Sequence, residues 1–551
     1  MNQQGSAATG STQKDKKMLL SGVLILAVAN ILVKICGFIY KVPMNRMLGD
    51  EMINISAAHS IYNVLYMIST AGIPVAVSVL VSECRAKGDV LRLKRVFRVS
   101  LVSLIVVGAV GFLVMVGSAG AISRANSGGE SFRCILAIAP SLFFIAICSV
   151  YRGYFQGFQQ MAPTALSEFI ESFGKMALGL VFIYLALYRF GQSQLSAAAW
   201  AVFAETFGII LGTLFLISIR KYYHHKNKLI MFGDAVATES VTDSSPILPR
   251  LASIAIPISL SAVMLNIAAL VDSQLMWPLL TSHLGNSDLA KEIASDYTTG
   301  AVTLYNLPTV LIYPISCSIV PFLSAALKSG DDLSVRRVTN SALRLTALIA
   351  LPCALGMSAL SGPILDMLFG GGDAKMATNA GPLLSILSIS VFLVSMLSVT
   401  NALLQGNHRE KKPMISMVAG LVVKISSDII LTKLFGAVGA PISTVLFHAT
   451  VVCFNFYFVL RYTVARPNFI SVFFRPFVAA LVSAGGAIFF YRLFSKYLFG
   501  VTLSTVCAVF GAVLVYLVAI FIFGCINEDD LSMLPKGKKI STVLHRLQLL
   551  R

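Results

Sequence analysis

The stretch Ile31–Gly49 reads ILVKICGFIYKVPMNRMLG, and it carries Lys34, Lys41 and Arg46 within or beside an apolar run that could cross a membrane. A charge near the bilayer centre costs about 2.5–3.5 kcal/mol. Lys34 lies roughly 24 Å along a helix that starts near Met18, too deep to reach the interface easily. Lys41 and Arg46 approach the far interface, where snorkelling explains each one adequately. We interpret this first helix as the cationic wall of a polar cavity.

The composition of the chain is that of a polytopic membrane protein. Of its 551 residues, 56% are hydrophobic and only 12% are charged, whereas soluble domains carry about 25% charged residues. Mean hydropathy is +0.81. Apolar runs of about twenty residues recur along the chain, and each can span the hydrocarbon core as a helix. We therefore predict an all-α membrane protein.

The pattern predicts fourteen spans, at residues 18–42, 55–82, 96–120, 132–156, 164–188, 195–219, 251–277, 299–327, 335–361, 380–405, 412–432, 437–461, 468–491 and 500–525. The net charge of +18 comes from Lys and Arg scattered through short loops. This pattern indicates membrane topology and argues against nucleic acid as a partner. Most of these cations fall on the side of the N-terminus, which predicts that both termini are cytoplasmic.

Two segments recur in the two halves of the chain. GIPVAVSVLVSECRAKGD from Gly72 resembles YPISCSIVPFLSAALKSGDD from Tyr313, and QGFQQMAPTALSEFIESFGKM from Gln156 resembles QGNHREKKPMISMVAGLVVKI from Gln405. We therefore predict two pseudo-symmetric lobes of six helices, with two helices appended, and a substrate site between the lobes. The predicted organisation is a disordered cytoplasmic tail at 1–17, an N-lobe at 18–220, a cytoplasmic linker at 221–250, a C-lobe at 251–462, two further helices at 463–525, and a basic cytoplasmic tail at 526–551.

Several ionisable residues lie deep within the predicted spans, and they are functional candidates by default. Glu171 with Lys175, and Lys424 with Asp428, are each spaced i, i+4 on equivalent helices, so each pair can neutralise itself on one helix face. Structural ion pairs explain this spacing about as well as a polar cavity does. Asp272 is predicted to be unpaired, or to be the counter-ion of Lys34.

Two further charges are given structural explanations. A protonated carboxyl group packed against a neighbouring helix accounts for Glu205, and snorkelling accounts for Arg152.

Helix-breaking residues mark candidate hinges. Gly72 and Pro74 in the second span, and Pro314 in the eighth, should bend their helices and free backbone groups that need polar partners. An ordinary kink is the alternative explanation. No phosphate-binding loop, metal-ligand spacing or CxxC pair occurs in the sequence, so we expect neither a cofactor nor a metal, and no enzymatic activity.

The block YNVLYMISTAGIPVAVSVLVSECRAKGD, from Tyr62 to Asp89, resembles the stage V sporulation protein B branch of the multidrug, oligosaccharidyl-lipid and polysaccharide (MOP) exporter superfamily. The segments from Lys34, Gln156 and Gln405 agree with this resemblance. It implies a fourteen-helix, two-lobed transporter that moves an undecaprenyl-linked sugar through a central cavity. Lys34 stands where similar lipid II flippases have a cavity arginine. Lys424 stands where sodium-coupled relatives have Asn, which argues against a sodium site there.

Together these features predict a secondary transporter in the bacterial cytoplasmic membrane that flips a polyprenyl-pyrophosphate-linked saccharide from the inner to the outer leaflet. Lys34, Lys41 and Arg46 would bind the anionic headgroup. Glu171, Lys175, Asp272, Lys424 and Asp428 would set the polarity of the cavity or couple transport to H⁺ or Na⁺. Membrane lipids and cell-wall synthesis enzymes are further candidate partners. An exporter of cationic drugs, a membrane-embedded saccharide polymerase and a non-transporting scaffold for envelope or spore-cortex assembly are the alternatives.

Overall fold

The computed structural model describes residues 25, 28–30, 32–37, 39–41, 43–44, 47–127, 130–158, 160–226, 246–309, 323, 332–369, 375–407, 409, 411–463, 467–497 and 500–527. Several predictions fall outside these residues: those for Arg46, Pro314, the tail at 1–17, linker residues 227–245, and tail residues 528–551.

Helices dominate the described residues. The first, α1, comprises the helical residues between 28 and 48. The others are α2 (Met52–Thr70), α3 (Gly72–Lys87), α4 (Val90–Ser127), α5 (Phe132–Gly157), α6 (Met161–Tyr184), α7 (Gln194–Lys226), α8 (Ile247–Leu284), α9 (Ser287–Asp296), α10 (Val302–Tyr305), α11 (Asp332–Ala359), α12 (Ser361–Phe369), α13 (Lys375–Leu387), α14 (Ile389–Gly406), α15 (Lys411–Phe435), α16 (Gly439–Tyr462), α17 (Arg475–Tyr497) and α18 (Val501–Ile522). Short π-helical turns occupy Leu185–Arg189, Tyr297–Ala301 and Ile470–Phe474.

Eleven helical segments of the described chain are long and apolar enough to cross a membrane. One of them, Lys411–Tyr462, runs for 52 residues and contains both α15 and α16. Gly436 separates these two helices with a φ of 62°, a left-handed conformation that glycine adopts without steric cost. The all-helical, polytopic fold class is thereby confirmed. The count of fourteen stays a prediction, because the predicted spans 18–42 and 299–327 fall partly on residues that are not described.

The chain divides into two compact units, Met1–Asn266 and Ile267–Arg551. The division falls inside α8. The lobe and linker boundaries given above stay predictions.

In the first unit, α6 and α7 pack closely because α7 presents glycines at the crossing. A Cβ on Gly208 would lie 2.5 Å from the carbonyl oxygen of Glu171, and one on Gly212 would lie 3.1 Å from that of Ser167. Small residues let two helix backbones approach in this way inside a membrane. The close approach brings the polar side chains of the two helices within reach of each other.

The predicted bend in the second span is a break between α2 and α3. In a continuous helix the amide of Gly72 would donate to the carbonyl of Ile68. Here the Ser259 hydroxyl from α8 joins these two groups: it donates to the Ile68 carbonyl at 3.0 Å and accepts from the Gly72 amide at 3.2 Å. A Cβ at Gly72 would overlap the carbonyl oxygen of Ala255. The backbone groups freed by the break therefore have the polar partner that they need.

In the second unit, α15 packs on α16, and α17 packs on α18. Ser483 of α17 donates to the Ala512 carbonyl at 2.8 Å, and Tyr516 of α18 donates to the Leu348 carbonyl of α11. The first bond joins the two C-terminal helices to each other, and the second attaches them to the rest of that unit.

Candidate functional site

A fully buried lysine organises the polar cluster of the second unit. The side chain of Lys424 is 0% exposed. Its ammonium group donates to Asp272, to Ser443 at 2.7 Å and to Thr444 at 2.9 Å. Because an ammonium group has three N–H donors, these three bonds satisfy it completely.

Two hydroxyl groups link the lysine to its carboxylates. Thr444 donates to the second oxygen of Asp272 at 3.1 Å, and Ser443 donates to Asp428. Asp428 itself lies 3.2 Å from the Lys424 nitrogen. All the groups that surround the ammonium are oxygens, which is the donor set that hard cations prefer. We call Lys424, Asp272, Asp428, Ser443 and Thr444 the lysine cage.

The predicted ion pair between Lys424 and Asp428 is confirmed by this arrangement. The prediction for Asp272 was wrong: its carboxylate is paired with Lys424, from a position 152 residues away in the chain. The contact of Lys424 with a carboxylate therefore extends beyond its own helix, because α8 brings Asp272 to the same ammonium group.

In the first unit, the charged residues inside the predicted spans pair between helices. Arg152 of α5 donates to Glu171 of α6 at 2.8 Å and to Ser167 at 3.2 Å. Lys175 of α6 lies 2.8 Å from Glu205 of α7. The same oxygen of Glu205 lies 2.7 Å from the Nε2 atom of His59 on α2. We call His59, Lys175 and Glu205 the histidine cluster.

These contacts correct three predictions. Glu171 and Lys175 do not neutralise each other, since each takes a partner from a different helix. Glu205 carries an ion pair and is not a protonated carboxyl packed against an apolar neighbour. Arg152 is buried and paired, so it does not snorkel. The close α6–α7 crossing explains the result, because it brings Lys175 next to a carboxylate on the facing helix.

The cations of α1 behave differently from these paired charges. Lys34 is exposed and forms no ion pair with any residue that the structure describes. Lys41 is half-buried. Between them, Tyr40 is buried and donates to the carbonyl oxygen of Ala201 on α7 at 3.2 Å. Tyr40 therefore holds α1 against α7 while Lys34 stays exposed.

Sequence reasoning missed His59, Ser443 and Thr444. A lone histidine and two hydroxyl residues carry no spacing signal. The available signal was depth in the membrane, because polar groups there must find partners inside the protein.

Comparison with known proteins gives a consistent relationship. Residues 19–327 match the family model described as "Polysaccharide biosynthesis protein", and residues 257–430 match the MatE model. The chain is 24% identical to the lipid II flippase MurJ of Bacillus subtilis (strain 168), over 81% of this chain and 83% of the relative. It is 27% identical to the uncharacterized membrane protein YabM (95% and 96%) and 23% identical to the stage V sporulation protein B (94% and 98%) of the same organism.

Solved structures support the fold. An outward-facing multidrug resistance MATE family transporter of the MOP superfamily aligns with a TM-score of 0.62 and 16% identity, over 81% of this chain and 97% of that chain. A MOP superfamily transporter from Pyrococcus furiosus, whose binding pocket is described as having reverse polarity, aligns with the same score and identity. At this identity the likeness shows a MATE-like transporter fold.

Proposed function

Because the chain belongs to the polysaccharide biosynthesis protein family and is a membrane transporter of the MOP superfamily, we propose that it flips a polyprenyl-pyrophosphate-linked saccharide across the cytoplasmic membrane. The substrate moves from the inner to the outer leaflet, and both termini are cytoplasmic. The relative named as a lipid II flippase supports this substrate class.

The observation that carries the proposal is the state of Lys34. The cations Arg152, Lys175 and Lys424 each form an ion pair with a carboxylate of their own unit. Lys34 is exposed and has no carboxylate partner among the described residues. An ammonium group without a carboxylate partner among the described residues, on a helix predicted to span the membrane, suits a ligand that brings its own negative charge, such as a pyrophosphate headgroup.

The test is complementation of a strain that lacks its flippase, with identification of the lipid-linked precursor that accumulates on the inner leaflet. Lys34→Met should lose transport by about ten- to hundredfold, since a hydrogen bond to a charged group contributes about 1.5–3 kcal/mol. Lys34→Arg keeps the charge and should retain part of the activity. Lys221→Met, which removes an exposed cation at the end of α7, is the matched control.

A Lys34→Met protein that expresses normally and complements fully would refute the role of this residue. Expression is expected to stay normal because no carboxylate of the described chain loses its partner.

Export of cationic drugs is the second candidate function, and the MatE match over residues 257–430 favours it. The two functions differ in the charge that the site must bind. A drug exporter should gain affinity for an organic cation such as ethidium when Lys34 is removed, whereas a flippase should lose its substrate. Ethidium efflux from cells that express wild type and Lys34→Met separates the two.

A further inference from the structure

The histidine cluster of the first unit contains a contact that requires an additional proton. The Nδ1 atom of His59 lies 3.0 Å from the carbonyl oxygen of Ile55, one turn earlier on α2. A carbonyl oxygen can only accept, so Nδ1 carries a hydrogen. In neutral imidazole the other nitrogen, Nε2, then has a lone pair and no hydrogen.

That second nitrogen lies 2.7 Å from Oε2 of Glu205. A carboxylate oxygen also only accepts, so a lone pair would face a lone pair at hydrogen-bond distance. The contact becomes attractive when Nε2 also carries a hydrogen, which gives an imidazolium group facing the carboxylate. The geometry therefore corresponds to a cluster that holds one proton more than neutral His59 and ionised Glu205 would hold.

We propose that His59 and Glu205 form a proton-binding site in the first unit, and that this site exchanges its proton during the transport cycle. The coupling part of this inference rests on the proposed transport function, whereas the proton-binding part does not. It names H⁺ as the coupling ion and α2 and α7 as the helices that hold it.

Lys175 makes reversible proton loss feasible. Its ammonium nitrogen lies 2.8 Å from the same Oε2 atom of Glu205. When the proton leaves, the carboxylate keeps this partner, and no unpaired charge is left buried. The side chains of His59, Glu205 and Lys175 are 24%, 14% and 30% exposed, so none of the three is sealed inside the protein.

The other titratable groups near the site are already engaged or are weak acids. Tyr40 of α1 donates to Ala201, one turn from Glu205 on α7. Tyr62 lies beside His59 on α2, with ring centroids 6.1 Å apart. On α5 and α6, Arg152 and Glu171 neutralise each other. The extra proton therefore belongs to the contact between His59 and Glu205.

Proton loss has a defined structural consequence. It turns the His59–Glu205 contact from attractive to repulsive, which releases α2 from α7. The chain next to α2 already contains a break, at Gly72, where the Ser259 hydroxyl replaces the helical hydrogen bond. A proton-controlled contact at one part of α2 and a break at its end together allow α2 to move as a unit.

The first experiment tests proton binding without any transport. Thermal unfolding of the full-length protein in lipid nanodiscs is measured between pH 6 and pH 8.5. The bound proton stabilises the folded contact, so the midpoint of wild type should fall by about 2–4 °C as the pH rises and the proton is lost. His59→Gln offers an amide N–H to Glu205 at every pH, and its midpoint should lose this dependence. His283→Gln, which changes the exposed histidine at the end of α8, is the matched control and should behave as wild type.

The second experiment tests coupling, in proteoliposomes that contain a fluorescent polyprenyl-pyrophosphate saccharide. An imposed pH gradient, at zero membrane potential, should accelerate transport by wild type and by His283→Gln at least several-fold. The transport rate of His59→Gln should be the same with and without the gradient, whatever its rate relative to wild type.

Each outcome decides something. If wild type and His59→Gln unfold with the same pH dependence, the proton site is refuted. If the pH dependence of unfolding is present in wild type and absent from His59→Gln, but the gradient has no effect on transport by wild type, the proton site exists and its coupling role is refuted. If wild type moves no saccharide at all, the proposed function fails, and the unfolding experiment still decides whether the site binds a proton.

Discussion

Replacing Lys424 by Met tests whether the lysine cage holds the second unit together. The substitution conserves most of the side-chain volume and removes the ammonium group. It leaves Asp272 and Asp428 buried at 8% and 2% exposure without their cation, and it removes the donor to Ser443 and Thr444. Breaking a buried ion pair by removing one partner costs about 3–5 kcal/mol. At roughly 2 °C per kcal/mol for a large domain, the unfolding midpoint should fall by about 6–10 °C.

The assay is thermal unfolding in nanodiscs, and the readout is the loss of the monodisperse peak in size-exclusion chromatography. Lys433→Met, which removes an exposed lysine from the last turn of the same helix, should change the midpoint by less than about 1 °C. The double variant Lys424→Met with Asp272→Asn removes one of the two stranded charges, and it should recover part of the loss. A Lys424→Met protein as stable as wild type would show that the aspartates do not need the ammonium group, and it would refute the cage as a stabilising element.

Two further predictions follow from the same contacts. Lys424→Asn replaces the ammonium group by an amide oxygen inside an all-oxygen site, which could then bind Na⁺. The unfolding midpoint of this variant should be higher in NaCl than in choline chloride, and its free energy of unfolding should rise by up to about 2.7 kcal/mol at a hundredfold excess of Na⁺ over the dissociation constant. Wild type should show no difference between the two salts. Ser259→Ala leaves the Ile68 carbonyl and the Gly72 amide without their bridging hydroxyl, and it should lower the free energy of unfolding by about 1–3 kcal/mol. Ser253→Ala, at an exposed position of the same helix, should leave that free energy almost unchanged. Equal unfolding midpoints for the two serine variants would contradict the bridging role.

The fold class could be predicted because the membrane restricts the choice of structure. An apolar run that must satisfy its own backbone becomes a helix, and the positions of such runs are visible in the sequence. The pair Lys424–Asp428 could be predicted for a similar reason, since a spacing of four residues fixes proximity on a helix whatever the tertiary structure.

The same rule failed for Glu171 and Lys175, and the failure has a physical cause. Spacing shows that two residues can meet, but not that they prefer each other to a partner on another helix. Gly208 allows α7 to approach α6 closely, which offers Glu205 to Lys175, while α5 offers Arg152 to Glu171. An arginine binds a carboxylate with a fork of donors that lysine lacks. These choices depend on helix packing, which the hydrophobic pattern does not specify.

The lysine cage of the second unit and the histidine cluster of the first unit differ in whether their cations can be exchanged. In the second unit, Lys424 is wholly buried, and its three N–H donors are all used, so the site contains a cation that is covalently part of the chain and cannot leave. In the first unit, Lys175 shares Glu205 with His59, an imidazole whose two nitrogens can both carry a hydrogen, and all three side chains are partly exposed. A transport cycle driven by an ion needs a site that empties and refills. Of the two clusters, the one around His59 has a cation that could be exchanged, which is why we propose proton coupling for the first unit and a fixed, stabilising charge for the second.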